Sequence, residues 1–329
     1  MPQPRPLHFA ILGAGHIAGK MAATLAFLKR EGEVVPYAVA SRDAARAEAL
    51  RAAHGFARAY GSYESMLADP AVDVVYVATP NSLHHAHVRA ALLAGRHVVC
   101  EKPFTMTAAE AEDLFALARE RGLFVLEAVW TRFQPCVARM REVVASGEIG
   151  APRLLQATFA LNVAAKERLR SPALGGGALL DLGIYALHFA DLHFGLDVSR
   201  ISSHATLTPE DVDDQSAIAL EYRDGRLALL STSMTAAFGT AARIAGTKGC
   251  IDAPQLTRCQ GFAVRAIPGD AERAVACPFD FNGYEYEIRA AARAVAEGRL
   301  ECAECPWAAT LAVTRLMERL RAEWGCAAN

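Results

Sequence analysis

The sequence predicts an α/β protein of two domains: a doubly wound parallel sheet in residues 1–128, then an α+β domain with a largely antiparallel open sheet in residues 129–329. Three observations lead there. Up to Ala128, short apolar runs of strand length alternate with helical patterns, as in parallel strands joined by crossover helices. Beyond it the alternation stops and strand-like runs take over. At 329 residues the chain is also long for a single core.

Taken in order, the run 7–12 is continuous and apolar and closes on Gly13-Ala14-Gly15-His16-Ile17-Ala18, before a helical pattern over 19–30 and a second apolar run over 34–40. This is the context in which a GxGxxG-type motif binds a dinucleotide in a Rossmann-type domain. Gly13 permits the tight turn, Gly15 lets backbone approach a pyrophosphate, and Ala18 stands in for the third glycine where helix meets strand. With His16 and Ile17 in the turn that leads into it, the helix N-terminus offers unpaired N–H groups to the phosphates.

The end of the second run selects the dinucleotide. A site for NAD places an acid there for the ribose 2′-hydroxyl, whereas this chain has Ser41-Arg42, a hydroxyl beside a guanidinium that suits a 2′-phosphate. NADP(H) is therefore expected over NAD. The plainer alternative makes Arg42 a solvated loop charge and Asp43 the N-cap of the next helix.

The alternation continues with strands over 73–78, 97–101 and 123–128 and helices over 83–94 and 108–121. Two carboxyl-end loops carry polar groups: Thr79-Pro80-Asn81-Ser82-Leu83-His84, and Glu101-Lys102-Pro103. Ligands bind along that edge of an open α/β sheet, so Lys102 is placed to meet one. Helical spacing sets His84 and His87 on one side with no third ligand nearby, so a histidine near the cofactor is expected rather than a metal site.

In the second half, residues 129–135 lead into a helix ending near Gly147, and strand-like runs follow over 153–163, 198–207, 216–222, 227–235 and 242–251. Asp224-Gly225 marks a hairpin between two of them. Helices close the chain over 283–297 and 307–324. One further helix, 175–188, begins Gly175-Gly176-Gly177 and carries Asp181, Tyr185 and His188 at spacings of four and three, hence on one face. Its glycines allow close backbone approach. On pattern alone, a capping Asp181 with Tyr185 and His188 bonded internally stands beside a catalytic reading.

In these motifs the chain resembles the glucose-fructose oxidoreductase / inositol dehydrogenase (Gfo/Idh/MocA) family, whose signature runs TPNxxH and then AGKHVxxEKP. Here it reads Thr79-Pro80-Asn81 to His84, then Ala94-Gly95-Arg96-His97-Val98-Val99-Cys100-Glu101-Lys102-Pro103. The family's GGGxLxDxGxY motif matches at Gly175, Gly176, Gly177, Asp181, Gly183 and Tyr185. The resemblance covers nearly the whole chain. It implies a nicotinamide cofactor in the first domain, contacts from Thr79, Pro80, Asn81, His84, Glu101, Lys102, Trp130 and Arg132, a cis Lys102–Pro103 bond, and dimerisation through the second sheet. Tyr185 in place of a histidine, with Glu127 and Trp130-Thr131-Arg132-Phe133, resembles the NADP-using branch that holds dihydrodiol and D-xylose dehydrogenases. His188 is then read as structural.

The implied reaction moves a hydride between the nicotinamide and a secondary alcohol of a sugar, polyol or cyclic trans-diol. Lys102, Asp181 and Tyr185 are the expected catalytic residues, and Phe159 joins them as a substrate contact. A phenol of pKa about 10 needs help to act as the base; a lysine about 4 Å away contributes at most on the order of 4 kcal/mol, roughly three pKa units, against desolvation. Asp181 would aim the ammonium, and Lys102 would stabilise alkoxide character. The alternative is a non-catalytic NAD(P)-binding sensor on the same fold.

Composition narrows the partners. A net charge of −2 with no basic block argues against nucleic acid, and no charge-free apolar run of bilayer length is evident. The eight cysteines are scattered in apolar or helical patterns, which suits a reducing compartment and a cytoplasmic location. Cys302-Ala-Glu-Cys305 has CxxC spacing without a second matching pair, so it reads as the segment before a helix.

Overall fold

A computed structural model describes residues 5–266 and 272–327. They form two compact units, residues 1–128 with 280–311 and residues 129–279 with 312–329. The switch at 128/129 coincides with the end of the strand–helix alternation. The return of 280–311 to the first unit departs from the expected division, and its reason is in the side chains. Arg289 pairs with Glu33 at 2.8 Å, Asn282 donates to the Thr24 hydroxyl at 2.9 Å, and the Trp307 ring stacks on Phe115 while its Nε1 donates to the Val125 carbonyl at 3.0 Å. An amphipathic helical pattern says that one face is covered but not by which core.

The first unit is built on a six-stranded parallel sheet: β1 (Leu7–Leu12), β2 (Val34–Ala40), β3 (Arg58–Tyr60), β4 (Val74–Val77), β5 (His97–Glu101) and β6 (Val125–Ala128), in the order β3-β2-β1-β4-β5-β6. Helices α1 (His16–Arg30), α2 (Ala44–His54), α3 (Tyr63–Leu67), α4 (His84–Leu93) and α5 (Ala108–Arg121) make the crossovers. The strands are apolar on both faces because both are covered, as β4 shows with all four residues buried. The order reverses between β1 and β4, and the carboxyl ends on either side of that point carry the glycine turn and the Thr79 loop.

The second unit holds an eight-stranded sheet of β7 (Pro152–Ala160), β8 (Val198–Leu207), β9 (Asp213–Tyr222), β10 (Leu227–Ser233), β11 (Gly239–Gly246), β12 (Gly249–Ala253), β13 (Gly261–Ala266) and β14 (Glu272–Ala276), in the order β14-β13-β12-β11-β7-β10-β9-β8. Among the described residues, only the β7–β10 pair of this sheet is parallel. The Asp224-Gly225 hairpin joins β9 to β10, with Gly225 at φ +79°. The strand expected over 242–251 is two strands folded back at Thr247-Lys248. Helices α6 (Pro135–Ser146), α7 (Glu167–Arg170) and α8 (Ile184–Phe194) belong to this unit. The stretch Pro172–Phe194 is long and apolar enough to cross a membrane by length and composition, contrary to expectation, and 83% of its 18-residue window is buried inside the protein, as in a core helix.

Candidate functional site

In the first unit β1 turns at Gly13, where φ is +115° and a Cβ would lie 2.7 Å from the Ala78 carbonyl oxygen, so only glycine passes. Gly15 differs. It is exposed and extended, and a Cβ there would meet nothing within 4 Å, so the space in front of it is open to a ligand. Helix α1 begins at the exposed His16 with no side-chain cap and no acid in its first turn, which leaves its N–H groups to an anion. Ile17 is half-buried, and Ala18 is fully buried as the substitute for the third glycine.

At the end of β2, the Asp43 N–H donates to the buried Ser41 hydroxyl at 3.1 Å. The Asp43 carboxylate accepts from the N–H groups of Ala45 and Arg46 at 3.0 and 3.2 Å and so caps α2. The acid nearest the end of β2 is therefore committed to a helix. Arg42 stands exposed beside it, and burial together with that positive charge lowers the pKa of His87.

The two carboxyl-end loops are joined by His84, and here the structure corrects the expectation of a cofactor contact. His84 is fully buried, with Nδ1 2.8 Å from the Pro103 carbonyl oxygen and Nε2 3.0 Å from that of Thr79. Each ring nitrogen thus faces a carbonyl within the protein; burial lowers the imidazole pKa, and the single N–H of the neutral ring donates to one of the two. His84 positions loops. His87 approaches the Thr79 hydroxyl at 2.9 Å through Nδ1, so Thr79 is held at two atoms, while Pro80 and Asn81 remain half-buried at the turn.

The Lys102–Pro103 peptide is cis, as the family resemblance implied. Glu101 accepts the Lys102 N–H at 3.2 Å with one oxygen and the buried Tyr76 hydroxyl with the other. Glu127 accepts the Phe104 N–H at 3.0 Å and the Thr310 hydroxyl at 2.8 Å. The backbone on both sides of the half-buried Lys102 is pinned by carboxylates, which holds its ammonium on a defined stem. Glu287 adds a fully buried carboxyl whose oxygens have no hydrogen-bond partner. Burial first, then Glu101 and Glu285, push its pKa well above the usual range.

In the second unit, residues Leu179–Gly183 form a π-helical turn that runs into α8. This replaces the uniform helix expected over 175–188. The wider turn places Asp181 by a different rotation from that assumed by α-helical spacing, and such insertions gather at functional sites. The glycines before it are sterically required. A Cβ on Gly176 would lie 2.5 Å from the Leu169 carbonyl oxygen, and one on Gly177, at φ +115°, 2.2 Å from Asp213 Oδ1. Asp213 in turn accepts the Leu179 N–H at 2.6 Å, and burial raises its pKa to about 6.

Around the half-buried Tyr185, Trp130 Nε1 donates to its hydroxyl at 3.2 Å and the Phe159 ring lies 5.6 Å away, centroid to centroid. Asp181 accepts from Arg168 Nη2 at 3.0 Å, a partner that helical spacing along 175–188 does not signal. Arg132, expected at the cofactor, has its side chain buried and donates to Asp191 at 2.7 Å, with His188 Nδ1 at 3.2 Å. His188 is fully buried there, in keeping with its structural reading. Lys102 belongs to the first unit; Asp181, Tyr185, Trp130, Arg132 and Phe159 belong to the second.

Residues 7–128 match the oxidoreductase family with an NAD-binding Rossmann fold, and residues 137–252 match the GFO/IDH/MocA C-terminal domain. Trans-1,2-dihydrobenzene-1,2-diol dehydrogenase of Bos taurus is 35% identical over 325 residues, 96% of each chain. The chain is a member of the GFO/IDH/MocA oxidoreductase family. The dihydrodiol dehydrogenase of Sus scrofa is 40% identical over 74% of this chain and 72% of its own. Among solved structures, a 3-ketoreductase of Actinomadura kijaniata, in complex with NADP and TDP-benzene, superposes with a TM-score of 0.86 at 28% identity, over 96% of this chain and 97% of that one. An aldose-aldose oxidoreductase of Caulobacter crescentus, complexed with glycerol, gives 0.86 at 26% identity over 97% of both. As a family member the chain carries an NAD(P)-binding Rossmann domain and is an oxidoreductase.

Proposed function

We propose that this protein is an NADP(H)-dependent dehydrogenase or reductase that interconverts a secondary alcohol and a ketone on a cyclic trans-diol or a sugar. The observation that carries this reading is the setting of Tyr185. A phenol whose oxygen accepts an indole N–H at 3.2 Å is oriented by that donor, which also favours negative charge on the oxygen, while the Phe159 ring packs beside it. The nicotinamide, when bound, supplies the hydride acceptor or donor. Tyr185 takes the hydroxyl proton in oxidation and returns it in reduction. Lys102 stabilises negative charge on the reacting oxygen, and Asp181 orients polar groups around it. Gly13, Gly15 and the first turn of α1 receive the pyrophosphate, Ser41 and Arg42 the 2′-phosphate, and Thr79, Pro80 and Asn81 line the cofactor's path.

NADP is favoured over NAD because Arg42 is exposed at the end of β2 and Asp43 is consumed as a cap. The relatives named as dihydrodiol dehydrogenases support the diol, and the sugar-converting neighbours support the sugar. Solved forms of the Actinomadura ketoreductase include a tyrosine-to-phenylalanine and a lysine-to-alanine variant, both with NADP. Replacing Tyr185 by phenylalanine is expected to cut kcat at least about 100-fold with NADP affinity unchanged by titration calorimetry. Near-normal turnover on dihydrodiols and sugars would move the base role elsewhere.

The outer face of the eight-stranded sheet is read as the contact between two copies of the chain. It exposes Leu227, Leu229 and Phe238, the last at 72%, an apolar group that a second copy would cover. Light scattering should show a dimer that Leu229→Arg converts to a monomer. A monomeric parent protein would refute this reading.

A further inference from the structure

Three cysteines from distant parts of the second unit meet at one point, and none of them belongs to the chemistry proposed above. Cys136 lies in the first turn of α6, Cys259 precedes β13, and Cys277 follows β14. The Sγ atoms of Cys136 and Cys259 are 2.7 Å apart across 123 residues of sequence. Non-bonded heavy atoms settle about 3.5–4.0 Å apart, so these two sulfurs are closer than packing alone would leave them. Cys277 is near enough for Cys136 and Cys259 to act electrostatically on its thiol, and its backbone N–H donates to the Gln260 carbonyl at 2.9 Å. All three are buried.

The same three segments are braced to one another and to the catalytic tyrosine. Gln134 Nε2 donates to the Thr257 carbonyl at 2.8 Å, the Phe279 N–H donates to Gln260 Oε1 at 3.2 Å, and the Trp130 and Phe279 rings lie 6.4 Å apart. Trp130 begins the turn that ends at Phe133, three residues before Cys136, and it is the donor to Tyr185. A covalent link at Cys136 therefore acts on the segment that carries the Trp130 indole.

We propose that Cys136 and Cys259 form a reversible disulfide when the protein meets a peroxide, with Cys277 as the neighbouring thiol able to exchange into the bridge, and that this bond clamps the Trp130 segment. The contact between the two sulfurs drives Cys136 up and Cys259 down, so Cys259 supplies the first thiolate. Its sulfur attacks one peroxide oxygen as the O–O bond breaks. The products are a sulfenic acid at Cys259 and one water, which carries away the thiol proton. Cys136 then attacks the sulfenic sulfur and displaces its oxygen as a second water, so two thiols and one hydrogen peroxide become one disulfide and two waters. A dithiol reductant returns the pair to its starting state.

The test uses the full-length protein, treated with hydrogen peroxide, alkylated under denaturing conditions and digested without reductant. Mass mapping should find the peptide of Cys136 joined to that of Cys259, and dithiothreitol added before alkylation should abolish the link. In a Cys259→Ser variant the link should pass to Cys136 and Cys277. Recovery of Cys136 and Cys259 as alkylated thiols after peroxide, or only as sulfinic and sulfonic acids, would overturn the proposal. A Cys259→Ser protein with no bridge at all would remove Cys277 from it.

Discussion

Replacing Trp130 by phenylalanine isolates what the indole N–H does for Tyr185. The substitution keeps an aromatic ring in the contact with Phe279 and deletes one donor, the Nε1 that lies 3.2 Å from the Tyr185 hydroxyl. A hydrogen bond to a charged group contributes about 1.5–3 kcal/mol, and one pKa unit corresponds to about 1.36 kcal/mol. Loss of the donor should therefore raise the kinetic pKa of the base by about one to two units, since the donor favours the phenolate over the phenol. Below that pKa the rate follows the ionised fraction, so kcat/KM at neutral pH should fall about 10–100-fold and approach the parent value as pH rises. The assay is the pH profile of NADP reduction with a trans-dihydrodiol, read from nicotinamide absorbance. An equal loss at every pH, or an unmoved basic limb, would refute the role assigned to the indole and weaken the assignment of Tyr185 as base.

Arg42→Ala should raise the Michaelis constant for NADP about 10–100-fold, the value of a charge-assisted contact to a phosphate, and leave that for NAD within about threefold; a parallel shift in both would show that Arg42 does not read the 2′-phosphate. Glu287→Gln concerns stability. Because burial raises the folded-state pKa of Glu287 well above its ordinary value of 4.5, its contribution is fully present below about pH 4.5 and is lost as pH climbs toward the folded value. The amide mimics the protonated acid, so the variant's unfolding midpoint should fall less between pH 5 and 8, a window on the order of the usual working range. Identical slopes for the two proteins in thermal melts at a series of pH values would count against a buried neutral carboxyl.

Much of this protein could be read along the chain because its informative signals are local. A parallel strand covered on both faces is apolar throughout, so β1, β2, β4, β5 and β6 stand out between their helices. Gly13, read as the tight turn, has φ +115°, and Gly176, in the run read as allowing close backbone approach, leaves no room for a Cβ beside the Leu169 carbonyl. The lysine of Glu101-Lys102-Pro103 was placed by its strand, and Asp181 and Tyr185 by their motif. Asp43 was already open to reading as a cap, which is what it is.

What only the tertiary structure decided are partnerships between distant residues. Local pattern shows that Glu285–Ala296 is amphipathic, yet Arg289 finding Glu33 is what returns that segment to the first unit. His84 looked like a loop histidine until the Thr79 and Pro103 carbonyls came to face its two nitrogens. Arg132 looked like a cofactor contact until Asp191 drew it into a buried ion pair. The π turn at Asp181, the Arg168 partner and the meeting of Cys136 with Cys259 leave no periodic trace. Periodicity encodes which face of an element is dry, whereas a hydrogen bond or a sulfur contact depends on where two separately folded segments come to rest.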